Sequence, residues 1–369
     1  MIEIPVMRPR LPVASDLVPY LERIDAARYY TNRGGLSREL ENALATYLAV
    51  DVERIVLSTS GSMALLGAML VRLNPELSEP RSIVTSAMGF VASASAIKVL
   101  ARSPRFLDVD PETWVINVSD LRAALREDDS EAALVVAPYG RCVDWSALSR
   151  LEHECGKPVI VDAAASLDQV TPVSLRDAPT TCFSMHATKA IPAGELGVVV
   201  ARTAEEGRRV RAALNHGFAG SRVSFGANIN GKPSEYTCAV GLASIASAKE
   251  TFERLDKVRG DYLDSIARRG LDRERFVFSP DVSRVYALLK TDSAADLDHI
   301  AEMLRLSGIG SLRWYEGGIH RQPSAAGCMS ARLKHTEHLC DTLLGLPMSV
   351  DQAPADTGRV VEALLMAGV

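Results

Sequence analysis

Between about residue 40 and residue 200, short, largely apolar segments alternate with amphipathic ones, and this alternation limits the folds open to the chain. Ile55–Leu57, Ser82–Thr85, Arg105–Val109, Leu134–Val136 and Pro158–Val161 read as strands. Arg38–Val50, Ser62–Leu73, Ala92–Leu100, Asp120–Arg126 and the stretch from Trp145 to Cys155 read as helices between them. A strand that is apolar throughout needs cover on both faces. Helices between successive strands supply that cover over a mostly parallel sheet. The expected fold class is α/β.

Beyond residue 200 the pattern changes. Gly217–Lys232 is a long loop rich in Gly and Asn, a kind that compact domains usually keep for function. A helical pattern runs from Glu235 to Gly260. Val282–Leu289 then reads as a strand, Ala294–Leu306 as a helix, Leu312–Tyr315 as a strand and Asp351–Met366 as a closing helix. The order suggests a large domain with an N-terminal arm over residues 1–250 and a smaller α+β domain over 251–369. A chain of 369 residues, 47% hydrophobic, can bury a core of that size. Its net charge of -5 gives no drive toward nucleic acid or anionic membrane, both of which call for clustered Lys and Arg. The six cysteines are scattered and include no CxxC, which reads as reduced thiols rather than disulfides or a zinc site. The N-terminus has no apolar signal-like core and no apolar run approaches ~18 residues, so the expectation is a soluble, cytoplasmic protein.

Four segments carry candidate chemistry. Lys189 follows the low-charge stretch Phe183–Thr188 and precedes Gly194–Val200. Burial there would favour the neutral amine, which can attack a carbonyl, although most lysines on turns are simply solvated. Asp162 ends the apolar strand Pro158–Val161, where α/β sheets open toward ligands. It could cap the next helix, or pair with a cationic ring nitrogen. Ser58–Ala64 is a small-residue turn that opens a helix, suited to a phosphate but equally to ordinary Ser capping. Phe90 lies just past a strand end, where it could stack on a planar ring or pack into the core.

In this order these segments resemble the DegT/DnrJ/EryC1/StrS family of pyridoxal 5′-phosphate enzymes, the sugar aminotransferases of fold type I. Tyr30–Gly35 with Leu40–Glu41 is similar to the family's opening motif, Thr59–Leu65 to its phosphate turn, and Gly89–Ala94 to the segment bearing the stacking aromatic. Phe106–Asp110, Tyr139–Arg141, Val161–Ala164 and Leu344–Met348 fit further landmarks, and Ser184–Lys189 with Gly194–Glu195 resembles the most specific one. The resemblance implies that Lys189 bonds covalently to the cofactor and shuttles protons. It implies that Asp162 pairs with the ring nitrogen, and that Ser184 with the amides near Gly61 and Ser62 holds the phosphate. Phe90 would stack on the ring. Asn230 would reach the cofactor of a neighbouring subunit, which implies a homodimer with shared sites.

Asn32, Glu235 and residues of the Trp314–Arg321 segment, including His320, are expected on the substrate rim. For His320 the commoner role is a solvated loop side chain, and for His186 a hydrogen-bonded core one. The chain departs from the family pattern at Ala165, where Gln is usual in aminotransferases and His in the dehydratase branch. Lys232 stands for an Arg and Leu196 for a Gly. The presence of Lys189 argues against the dehydratase branch. The function expected is transfer of an amino group from an amino acid, glutamate by family precedent, to a keto group of a nucleotide-linked sugar. Transamination of an aminocyclitol or other keto substrate, and a pyridoxal-phosphate-binding regulator with little turnover, are the alternatives.

Overall fold

The computed structural model describes residues 2–73, 81–127, 129–171 and 174–369. Helices α1 (Ala14–Ala27) and α2 (Gly35–Leu48) lead into β1 (Ile55–Ser58), α3 (Gly61–Arg72), β2 (Ser82–Ser86), α4 (Ala92–Val99) and β3 (Ser103–Leu107). Next come α5 (Val118–Arg126), β4 (Ser130–Val136), α6 (Trp145–Cys155), β5 (Val159–Asp162), β6 (Thr180–Ser184), β7 (Gly197–Val200) and α7 (Ala204–Ala213). The C-terminal part runs α8 (Glu235–Ala246), α9 (Ala248–Arg269), β8 (Phe276–Val277), β9 (Ala287–Lys290), α10 (Ala294–Leu306), β10 (Met329–Ser330), α11 (Lys334–Thr342), β11 (Leu343–Leu346) and α12 (Pro354–Met366). Among the described residues no helix is long and apolar enough to cross a membrane, and all six cysteines are free.

Eight strands form the main sheet in the order β1-β7-β6-β5-β4-β2-β3-β10. Only β7 is antiparallel to its neighbours; the other pairings are parallel. The α/β expectation holds, and so does its reason. Ile83, Leu134, Ile160, Cys182 and Val199 bury one face against Ala64, Leu65 and Ala68 of α3. Val84, Val135, Val161, Phe183 and Val198 bury the other with Leu40, Leu44 and Leu48 of α2, whose i, i+4 spacing makes one apolar stripe. A second, antiparallel sheet has the order β11-β9-β8.

Local expectations fail where long-range contacts intervene. The helical pattern from Glu235 to Gly260 breaks at Ser247, whose hydroxyl donates to the Ala243 carbonyl and competes with the helix ladder. Leu312–Tyr315 contributes only an isolated bridge between Leu312 and Gly345. Val282–Leu289 is strand only from Ala287 onward, because Ser283–Tyr286 folds into a turn closed by the Tyr286 amide on the Ser283 carbonyl at 3.0 Å. Two segments cross between the sheets' territories. Ile4 bridges Ile309, and the Val6 carbonyl accepts from the Met348 amide at 3.1 Å, laying the N-terminal segment along the C-terminal unit. In the other direction, β10 adds an edge strand to the main sheet beside β3.

Candidate active site

The carboxyl ends of β1, β5 and β6 come together at one edge of the main sheet. Gly197, at the start of β7, pairs with both Ser58 and Ser184, and Asp162 at the end of β5 pairs with Cys182. This edge is where open α/β sheets bind ligands. Crowding there excludes any side chain at Gly197, since a Cβ would lie 2.1 Å from the Ser60 carbonyl oxygen.

Asp162 is 6% exposed. Its Oδ2 accepts from the Ser93 hydroxyl at 2.5 Å and its Oδ1 from the Ala164 amide at 3.2 Å. Burial pushes the carboxyl's pKa up, while Ser93, Ala164 and the Lys189 charge pull it down. Lys189 sits in a turn built by backbone bonds from its own amide to the His186 carbonyl (2.8 Å) and from the Ala187 amide to the Gly194 carbonyl (2.8 Å). Its amine donates to the Tyr286 hydroxyl at 3.4 Å. Burial lowers the amine's pKa, against the opposing charges of Tyr315, Asp162 and Asp168. Among the described residues neither Asp162 nor Lys189 makes a direct ion pair, so a buried carboxylate and a half-buried amine share the site, each without a salt-bridge partner in contact. Such a donor set fits a ring that carries both a cationic nitrogen and a carbonyl.

A phosphate seat lies beside them. Ser60 caps α3 by accepting from the Met63 amide at 3.3 Å, which leaves the earlier amides, at Gly61 and Ser62, at the positive end of the helix. Gly61 packs so closely on Ser184 that a Cβ would lie 2.9 Å from the Ser184 Cβ. The Ser184 hydroxyl accepts from the His186 amide at 3.2 Å. These residues fit the phosphate of pyridoxal 5′-phosphate as the helix terminus and hydroxyl of its cradle.

Other expected residues are placed unevenly. Phe90 is 66% exposed, and its carbonyl accepts from the Ser93 amide at 3.3 Å, so it stands one turn from the Asp162 partner. His320 follows Ile319, whose amide bonds the Ala87 carbonyl at 2.8 Å, and its Nε2 lies 3.2 Å from Glu337. Ile319 thus docks on the loop before Phe90, and the His320 ring is half-buried beside Glu337 rather than standing free in solvent. His186 is no core residue: it stays half-exposed and braces the turn through Thr188 at 2.9 Å. Asn32 and Asn230 are exposed. Asn230 accepts from Lys232 at 2.6 Å, and the next carbonyl, of Gly231, accepts from the Thr59 amide at 2.8 Å, so the loop docks on the phosphate turn of its own chain.

Glu235 corrects an expectation. It is 1% exposed and faces inward rather than onto a rim. Its carboxylate accepts from the amides of Gly34 (3.0 Å), Leu36 (2.7 Å) and Ser37 (3.3 Å) and from the Ser37 hydroxyl, tying the start of α2 to the start of α8. The negative group neutralises the unpaired donors of a helix start.

Sequence reading missed three residues of the site. Ser93 is an ordinary small residue in a helical stretch, Tyr286 lay within an apolar run, and Tyr315 was included only as part of a rim segment. Tyr139, at φ 55°, ψ 13°, donates its amide to the Tyr315 hydroxyl at 3.3 Å and meets the Tyr286 ring edge-on at 5.3 Å.

Residues 13–365 match the sequence profile of the DegT/DnrJ/EryC1/StrS aminotransferase family. The chain is 28% identical over 378 residues to Protein Rv3402c of Mycobacterium tuberculosis, covering 100% of this chain and 90% of that protein. It is 24% identical over 377 residues to the dTDP-4-amino-4,6-dideoxy-D-glucose transaminase of Escherichia coli, covering 98% of each. Among solved structures, DesI in the presence of its TDP-sugar product superposes with a TM-score of 0.86 at 26% identity, covering 99% of this chain and 93% of that one. A profile match of nearly full length, on a fold whose strand ends bring Lys189, Asp162 and Ser184 to one edge, makes this chain a member of the DegT/DnrJ/EryC1/StrS aminotransferase family.

Proposed function

We propose that this aminotransferase uses pyridoxal 5′-phosphate to move an amino group from an amino acid, with glutamate the expected donor, to a keto group on a nucleotide-linked sugar. The observation that carries the cofactor reading is the half-buried Lys189 amine and the buried Asp162 carboxylate, brought to one strand edge without direct ion-pair partners. When bound, the cofactor supplies an aldehyde and an electron-withdrawing ring. Lys189 is the amine to condense with that aldehyde and the base to move the substrate proton. Asp162, fixed on both oxygens by Ser93 and Ala164, keeps a facing ring nitrogen protonated. Ser184 and the amides of Gly61 and Ser62 would hold the phosphate, and Phe90 would offer the ring an aromatic partner. The nucleotide-sugar acceptor is supported by the Escherichia coli relative, a dTDP-4-amino-4,6-dideoxy-D-glucose transaminase, and by the TDP-sugar product of DesI.

Homodimer formation belongs to the same reading, with Asn230 completing the partner's site and Asn32 and His320 on the substrate rim. Phe225, in the same Gly- and Asn-rich loop as Asn230, is 64% exposed. Reduced cysteines and the lack of a membrane-crossing helix among the described residues agree with a cytoplasmic site of action.

The test begins with purified protein and pyridoxal phosphate. Visible absorbance should appear, glutamate should bleach it, and a nucleotide-linked keto-sugar should restore it. Borohydride reduction that leaves Lys189 unmodified would overturn the cofactor assignment. Bleaching without restoration by any keto-sugar nucleotide would overturn the acceptor class and turn the assay to keto-cyclitols.

A further inference from the structure

Tyr286 has no part in the reading above, yet its hydroxyl is the one hydrogen-bond partner of the Lys189 amine among the described residues, at 3.4 Å. The contact is reciprocal, since that hydroxyl has no other hydrogen-bond partner there. The ring cannot drift. It is 6% exposed and is met edge-on by Tyr139 at 5.3 Å and 86° and by Trp314 at 5.4 Å and 85°. Its backbone is pinned in the turn that opens β9. Burial keeps the phenol protonated well above neutral pH. A neutral phenol accepts from an ammonium group and donates to a free amine. It therefore stays bonded through the change of protonation that Lys189 must undergo before it can attack a carbonyl.

We propose that Tyr286 is a positioning residue for Lys189, its hydroxyl holding the amine toward the ends of β5 and β6 in both protonation states. This rests on the reading of Lys189 as the cofactor-bonding amine. Other groups also face Lys189: Asp162 from the end of β5, Asp168 from the following loop, and Tyr315 from the segment after α10. From the N-terminal segment, Arg8 and Arg10 line a small cavity with it. Tyr315 is not an equivalent candidate, because its hydroxyl already accepts from the Tyr139 amide. All of these remain in Tyr286→Phe, which deletes one oxygen and keeps the ring contacts, so a changed pH dependence reports the hydroxyl itself.

The experiment mixes full-length, cofactor-stripped protein with pyridoxal phosphate across a pH series, traps with borohydride, and measures the Lys189 adduct by peptide mass spectrometry. Wild type should capture the cofactor with a pH midpoint below that of a solvated lysine. Tyr286→Phe should lower the plateau rate by up to roughly tenfold, the worth of one hydrogen bond from the phenol to the free amine. It should also move the midpoint to lower pH, because the ammonium loses its acceptor. A merely structural role would lower the melting temperature without moving that midpoint. If Tyr286→Phe folds poorly, a ring-fluorinated tyrosine placed at 286, a weaker acceptor of nearly the same shape, should still shift it downward. Capture on Lys189 with the same plateau and midpoint in both variants overturns the proposal. Wild-type protein that forms no Lys189 adduct overturns the cofactor reading beneath it, a distinct and separately visible result.

Discussion

Replacing Glu235 by Ala tests whether this carboxylate builds the fold or meets the substrate. Its two best bonds are from the Leu36 amide at 2.7 Å and the Gly34 amide at 3.0 Å. Each is a charge-assisted bond to a buried group, worth about 1.5 kcal/mol at the low end, so their loss costs about 3 kcal/mol before any cavity term is added. A chain of 369 residues has an unfolding entropy near 0.8 kcal/mol/K at about 2.1 cal/mol/K per residue. The melting temperature of Glu235→Ala should therefore fall by about 4 °C. Glu235→Gln keeps one acceptor oxygen and should fall by roughly half as much. The assay is differential scanning fluorimetry of the cofactor-loaded protein, paired with KM for the acceptor. Unchanged melting temperatures together with a raised acceptor KM would refute the inward-facing role and return Glu235 to the rim.

Lys189→Ala should keep its fold by circular dichroism, bind pyridoxal phosphate without borohydride-stable attachment, and lose transamination. Retained turnover would remove Lys189 from the chemistry. Ser93→Ala strips Asp162 of its 2.5 Å donor, so the carboxyl's pKa should rise further and the acid limb of the pH–rate profile should move to higher pH; an unmoved limb would detach Ser93 from Asp162. Asp162→Asn should melt higher than wild type when both are cofactor-free at neutral pH. The folded pKa of Asp162 lies above its ordinary 3.8, so its contribution to stability is present below that value and lost as pH rises through the folded pKa. A lower melting temperature for the cofactor-free variant would contradict that sign.

Much of the sheet was legible because its segments Ile55–Leu57, Leu134–Val136 and Val159–Val161 are apolar along their whole length and obey a purely local rule. Trp145–Cys155 and Ala294–Leu306 were read to the residue, as amphipathic helices whose ends carry clear signals: Asp144 and Ser293 each cap the helix that follows. Lys189, Asp162 and Ser184 stood out because each follows or ends an apolar strand. The failures share a cause. Glu235 sits at a helix start, where an acid is locally unremarkable, yet its partners lie 198 to 201 residues earlier in the chain. The apolar run Val282–Leu289 satisfies a strand pattern, but Tyr286 is drawn out of it into a ring cluster with Tyr139, which is remote in sequence. Periodicity reports which face is buried. It carries no information on which remote group a buried polar atom will meet.

That division extends to how the site works. Strand ends set where the amine and the carboxylate stand, but burial alone drives both toward their neutral forms: Asp162 toward its acid and Lys189 toward its free base. Neutral suits Lys189 as a nucleophile. It would disable Asp162, since a protonated carboxyl cannot keep a facing ring nitrogen charged. The two hydroxyls correct this unequally. Ser93 donates to Asp162 and stabilises the anion, whereas Tyr286 can accept or donate and leaves the Lys189 amine free to change state while fixing its direction. Loss of Ser93 should therefore shift the pH range over which the cofactor works, and loss of Tyr286 should slow the attachment of the cofactor in the first place.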